Sequence, residues 1–413
     1  MSEWAVRPLT EVADIIMGQS PGGDSCNHEG NGLPFLQGCG DFGDQHPTTS
    51  VYCATPLRSA KSPSVLISVR APVGTMNVSD QTYCIGRGLA AFTAKPDQAD
   101  NTFLLHAVEH NLAYLHRRSQ GSTFAAVSSA DLRSVPIPKI DIDAQQRIAA
   151  VFRTVNTTIT QTEALIAKYQ QIKAGLMHDL FTRGVLPNGQ LRPPREQAPH
   201  LYKQTELGWV PAEWQVKRCA DICSRICVGI VIQPTQYYVE EGVPAFRSAN
   251  VRESGLDPSN LVYVSPRSNL LLAKSQVKEG DILSVRTGYP GTSAVVPPAY
   301  EGANSIDILI STPNAEVTSE YLCDWINSSF GKGQVLRQQG GMAQQHFNVG
   351  EMRELLVALP SLAEQALMRG RLKSVGDRLA SEHAQAAKLQ KQKLGLMQDL
   401  LTGKVQVPAQ PTA

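Results

Sequence analysis

The sequence predicts a mixed α and β protein: two similar α/β (α+β) globular blocks, each followed by a long helix, with the helices forming an antiparallel coiled coil of internal pseudo-two-fold symmetry. Three observations carry this expectation. Residues 175–185 read GLMHDLFTRGV and residues 395–405 read GLMQDLLTGKV, which agree at seven of eleven positions. Upstream of each copy runs an apolar seam with alternating steps of four and three. The segments that precede the two seams correspond as well, in the same order.

Length and composition set the frame. A chain of 413 residues, 42% of them hydrophobic, is long enough for two or three domains with substantial cores. No apolar run approaches the roughly 18 residues of a membrane span, and MSEWAVRPLTEVADI lacks the basic start and apolar stretch of a signal peptide. A cytoplasmic location without membrane contact is therefore expected, and the eight cysteines are expected to be reduced thiols. CADICSRIC spaces Cys219, Cys223 and Cys227 by four, one face if the segment is helical, and small buried side chains are expected there rather than a metal site.

The elements follow in chain order. The first block, 1–143, contains the strand-like PSVLISVR and LAAFTA and the helical NTFLLHAVEHNLAYLHRR. The first long helix, 144–184, carries the seam Ile148, Phe152, Val155, Ile159, Thr162, Ile166, Tyr169, Lys173, Leu176 and Leu180. Residues 185–206 are rich in Pro and polar side chains and read as a linker. The second block, 207–360, contains GDILSVR, DILIST and the helical SEYLCDWINSSF. The second long helix, 361–405, carries Met368, Leu372, Val375, Leu379, Glu382, Ala386, Leu389, Lys393, Leu396 and Leu400, with polar residues at the same two places as in the first. This is a coiled-coil pattern, and two copies in matching register make each other the natural partner, each spanning roughly 50 Å. Residues 406–413 are expected to be a disordered tail.

The blocks share EWAV (3–6) with EWQV (213–216), LPFLQG (33–38) with VPAFRS (243–248), SVRAPVGT (68–75) with SVRTGYPGT (284–292), and RSQG (118–121) with RQQG (337–340). In these phrases, in TELGWVPAEWQV at 205–216, and in the helix entries IPKIDIDAQQRIAAVF and ALPSLAEQALM, the chain resembles the specificity (S) subunits of type I restriction-modification systems along nearly its whole length. The first helix entry departs from the family's usual Pro-Leu-Ala-Glu-Gln-like phrase. The resemblance implies two target-recognition domains, each followed by a spacer helix, and a non-catalytic subunit that reads a bipartite double-stranded DNA site, one half-site per domain. It implies two adenine methyltransferase (M) subunits that use S-adenosylmethionine, and restriction (R) subunits that use ATP with Mg, with no cofactor bound by this chain. The absence of an Asx-Pro-Pro-aromatic motif and of a GxxxxGK[ST] loop agrees with that passive role.

Comparison of the blocks sorts the candidate contacts. Residues shared by both cannot distinguish two half-sites. Arg70, Arg118 and Gln120, with Arg286, Arg337 and Gln339, are therefore assigned to phosphate positioning, with a structural salt bridge or turn as the alternative. Gln37 and Arg247 occupy matching places but differ. Gln suits an adenine edge and Arg a guanine edge, which makes them base-reading candidates. Ser122 and Thr123, against Met342, Gln344, Gln345 and His346, form the next divergent pair. Charge argues against a strong free-standing DNA binder: the first block has 10 basic and 14 acidic residues, the second 12 and 15, while the helical segments 144–184 and 361–413 are basic, at 5 against 2 and 8 against 4.

Two rival readings come from other classes. The heptads equally suit a coiled-coil adaptor with two protein-binding domains. HAVEH places His106, Glu109 and His110 in the HxxEH arrangement of a zinc metallohydrolase. The matching helix of the second block reads LCDWINS without either histidine, so the expected alternative is a solvent-facing pair beside a Leu104, Leu105 and Val108 core face.

Overall fold

The computed structural model describes residues 4–119, 126–338 and 346–407. They form two compact units, Met1–Ala164 with His383–Ala413, and Leu165–Glu382. The expected tail lies almost wholly outside the described residues.

In the first unit, an antiparallel four-stranded sheet runs in the order Ala13–Met17, Leu89–Ala94, Val65–Ser68, Met76–Val78. Val65–Ser68 reads VLIS and is buried throughout, as a central strand covered on both faces should be. A second, five-stranded sheet includes one parallel pairing, between Leu33–Leu36 and Tyr83–Ile85. The helix Asn101–His110 begins where Asp100 caps the Phe103 amide at 2.9 Å, and it buries Phe103, Leu104, Ala107 and Val108 against the first sheet. The predicted single helix is in fact two, because Asn111 leaves the helical conformation and the chain restarts as Leu112–Arg118. Its side-chain amide donates to the carbonyls of Ala107 and Pro136, which ties the break to a neighbouring strand.

The second unit repeats this plan. Its four-stranded sheet runs Cys223–Val228, Ile308–Pro313, Ile282–Val285, Ser293–Val295. Beside it lies a sheet in which Val243–Phe246 pairs in parallel with Asn304–Ser305. Thr318 caps the helix Ser319–Asn327, and a second helix, Ser329–Gln338, follows. CADICSRIC is not one helix: Cys219–Ile222 is a single turn and Cys223–Val228 is a strand, so the three cysteines do not share a helical face. A spacing of four is as readily produced by a turn feeding a strand.

The two long helices are Ile142–Arg183 and Leu362–Thr402. Each is rooted by a fully buried glutamine. Gln145 accepts from the Asp100 amide and donates to the carbonyls of Gln98 and Ile140. Gln365 accepts from the Thr318 amide and donates to those of Glu316 and Pro360. The departure IDIDAQQ thus keeps the one side chain that does the anchoring.

Within each unit the helices run antiparallel. In the first, Ile148 and Phe152 share a core with Met397, Leu400 and Leu401, while Asn156 is linked through His106 to Glu109, the carboxylate that Lys393 contacts. In the second, Leu180 and Phe181 share a core with Met368 and Leu372, and farther along Arg378 lies over the Tyr169 ring. Every predicted seam residue is buried or half-buried.

The segment after the first helix is more than a tether. Arg192 is buried and makes a two-pronged ion pair with Glu364, 2.5 and 3.1 Å, and Trp214 Nε1 donates to the same carboxylate at 3.0 Å. The Val185 amide adds a further bond at 2.8 Å. Gly184 makes this possible: φ is +64°, and a Cβ there would lie 2.2 Å from Glu364 Oε1.

Candidate nucleic-acid interface

The residues assigned from sequence gather at strand ends. In the second unit the pairing of Val285 with Ile308 closes the sheet, and the next residue on one side and the previous residue on the other are Arg286 and Asp307. Their side chains form an ion pair, and Arg286 Nε also donates to the Phe347 carbonyl at 3.3 Å. Phe347 N in turn donates to Arg286 O at 2.9 Å, which places Phe347 against this strand end. His346 joins the group through a 3.0 Å hydrogen bond with Thr287. Of the two readings offered for Arg286, the structural salt bridge is therefore the one seen.

In the first unit Val69 N donates to Gly88 O at 2.9 Å, and Val127 N to Val69 O, so Val127 lies against this strand. Arg70 is exposed and pairs through its backbone with Ala126. Gln37 is exposed and follows the parallel strand Leu33–Leu36, as Arg247 follows Val243–Phe246. Arg247 is half-buried, and its Nη2 donates to the Asn260 carbonyl at 2.7 Å while Nε has no partner among the described residues. That anchor fixes the guanidinium plane, a requirement for bidentate reading of a base edge.

Arg118 and Arg337 lie in the last turns of equivalent helices and are both exposed; Arg118 stacks over Tyr114 at 3.7 Å. Gln120, Ser122, Thr123, Gln339, Met342, Gln344 and Gln345 lie outside the described residues.

The HAVEH histidines do not face solvent as a pair, which corrects the sequence expectation. His106 is fully buried, its ring centroid 4.4 Å from that of Phe152 in a tilted arrangement. Asn156 Nδ2 donates to its Nε2 at 3.2 Å, and its Nδ1 donates to Glu109 at 2.8 Å. With both ring nitrogens engaged, the imidazole has no lone pair left for zinc. Burial raises the Glu109 carboxyl, but the His106 hydrogen bond and the Lys393 charge outweigh it and hold the group below the usual carboxylate range. Leu104 and Val108 do face the core, with Leu105 only packed against it. No cluster of three or more His, Cys, Asp or Glu suited to a metal occurs among the described residues.

Sequence reasoning missed Asp307 and Arg87. Neither lies in a repeated phrase, and only the strand register shows that they occupy the same place.

Known proteins place this architecture. Residues 1–173 match the family model described as type I restriction modification DNA specificity domain. The MjaX type I restriction enzyme specificity subunit of Methanocaldococcus jannaschii is 35% identical over 182 residues, 44% of this chain and 43% of that protein. The MjaVIII specificity subunit of the same organism is 21% identical over 328 residues, 75% of this chain and 71% of that protein. The chain thus spans less than half of the first of these relatives. The crystal structure of a type I restriction-modification S subunit from M. genitalium superposes with a TM-score of 0.60 at 14% identity, covering 97% of this chain and 96% of that one. In sequence and in fold the chain is similar to type I restriction-modification specificity subunits.

Proposed function

We propose that the chain is the sequence-reading subunit of a type I restriction-modification complex, taking one half of a bipartite DNA site with each block. It positions two adenine methyltransferase subunits, which bring S-adenosylmethionine, and restriction subunits, which bring ATP and Mg. The chain itself supplies no catalytic group, and its work on DNA is in the cytoplasm; no helix among the described residues is long and apolar enough to cross a membrane.

The observation that carries this reading is the doubled root of the long helices. Gln145 and Gln365 fasten equivalent helices to equivalent blocks through equivalent bonds, so the chain presents two copies of one surface, each suited to one copy of a partner. Nuclease protection of a random duplex library by the partner-loaded chain tests it. Two short protected segments about one helical turn apart support it. Binding of partner proteins with no protected DNA would instead favour the coiled-coil adaptor.

A further inference from the structure

We propose that Arg70 and Arg87 form a two-cation phosphate clamp present in the first recognition block only, at the place where the second block has closed the same two positions into the Arg286–Asp307 ion pair. This rests on the DNA-reading function proposed above and names the backbone contact that function uses.

The equivalence follows from hydrogen-bond register. Leu36 faces Ile85 in the parallel pair of the first unit, and Phe246 faces Ser305 in that of the second. Gly86 N then donates to Leu36 O as Ile306 N donates to Phe246 O, both at 2.8 Å. The antiparallel ladder agrees: Ser68 faces Leu89 as Ser284 faces Leu309. Two residues beyond each pair, Arg70 corresponds to Arg286 and Arg87 to Asp307.

In the second unit, side chains from these two positions reach each other, and the opposite charges neutralise. In the first unit both are guanidinium groups, both are exposed, and neither has a side-chain hydrogen bond or ion pair among the described residues. Two like charges within reach of each other repel unless an anion lies between them. The Arg87 backbone is also held firmly. Its amide donates to Ser20 Oγ at 3.3 Å, and the glycines on either side pass so close to Gln37 that a Cβ on either would lie 3.2 or 3.0 Å from the Gln37 carbonyl oxygen. The clamp therefore sits beside the base-reading candidate of the same block, where a phosphate contact would fix register.

The test is a salt titration of duplex DNA binding, with the full-length chain and a fluorescent duplex of random sequence starting at low ionic strength. Each phosphate contact contributes about 0.9 to the slope of log K against log salt. Arg87→Asp is expected to lower the slope by about 0.9, because the new carboxylate also occupies Arg70, and Arg87→Gln by less, because Arg70 remains. Asp307→Arg is expected to raise it by about 0.9 by opening the second block's pair. Thermal melts check that the substitutions leave the fold intact. If the unaltered chain binds duplex but the Arg87 variants keep its slope, the clamp is wrong and the DNA-reading function stands. If the unaltered chain, alone and with its partners, binds no duplex, both are overturned.

Discussion

Lys393 Nζ lies 3.1 Å from Glu109 Oε1, so a lysine that interrupts the apolar seam of the second long helix is held by an acid on the helix Asn101–His110. The other seam lysine has a counterpart. Lys173 acts with Arg369 on Asp324, one helical turn before the place where Glu109 stands in the first unit, although burial still raises that carboxyl above its ordinary range. The lysine breaks in the heptads are thus docking points. A buried charge pair at a seam fixes register at some cost to stability.

Glu109→Gln is expected to destabilise the chain by about 1–3 kcal/mol at neutral pH, since Lys393 and His106 both lose a charged acceptor. The Glu109 carboxyl sits below its ordinary value in the folded state, so its contribution is complete above that ordinary value and is lost as the pH falls through the folded one. Urea denaturation of both proteins from neutral to acid pH should show the difference shrinking on the acid side. A difference independent of pH would contradict the assignment.

Glu364→Gln should be more damaging, by about 3–5 kcal/mol, because it leaves the buried Arg192 guanidinium with only the exposed Glu213 carboxylate as a charge partner. Replacing Arg192 and Glu364 together by apolar residues of similar size should restore part of the loss. A single-variant cost below about 1 kcal/mol, a surface-pair value, would show that this carboxylate does not organise the start of the second unit.

Much of this architecture was legible in the sequence, and for a physical reason. A heptad seam repeats a single constraint many times, so Ile148 to Leu180 and Met368 to Leu400 identified themselves. Single pairings are different. Asp307 meets Arg286 only through strand register, and Arg192 meets Glu364 across 172 residues. HAVEH misled because helical spacing shows that residues share a face but not whether that face is buried. The polar, Pro-rich stretch after the first helix looked free because its one buried cation is a single residue.

Arg247→Ala is expected to relax base preference in one half-site only, by about 1–3 kcal/mol if the anchored guanidinium reads a base edge bidentately. Gln37→Ala should do the same in the other half-site. Competition binding against single-base variants of the site measures both. Equal weakening on every sequence would move either residue to the phosphate-contacting class.

The most direct measurement of the central claim is a genome-wide map of methylated adenines in cells with and without this chain. Two short defined half-sites separated by a fixed stretch of unspecified bases, methylated only when the chain is present, is the predicted result. Methylation that is unchanged by its removal, or a single uninterrupted motif, would contradict the reading of one half-site by each block.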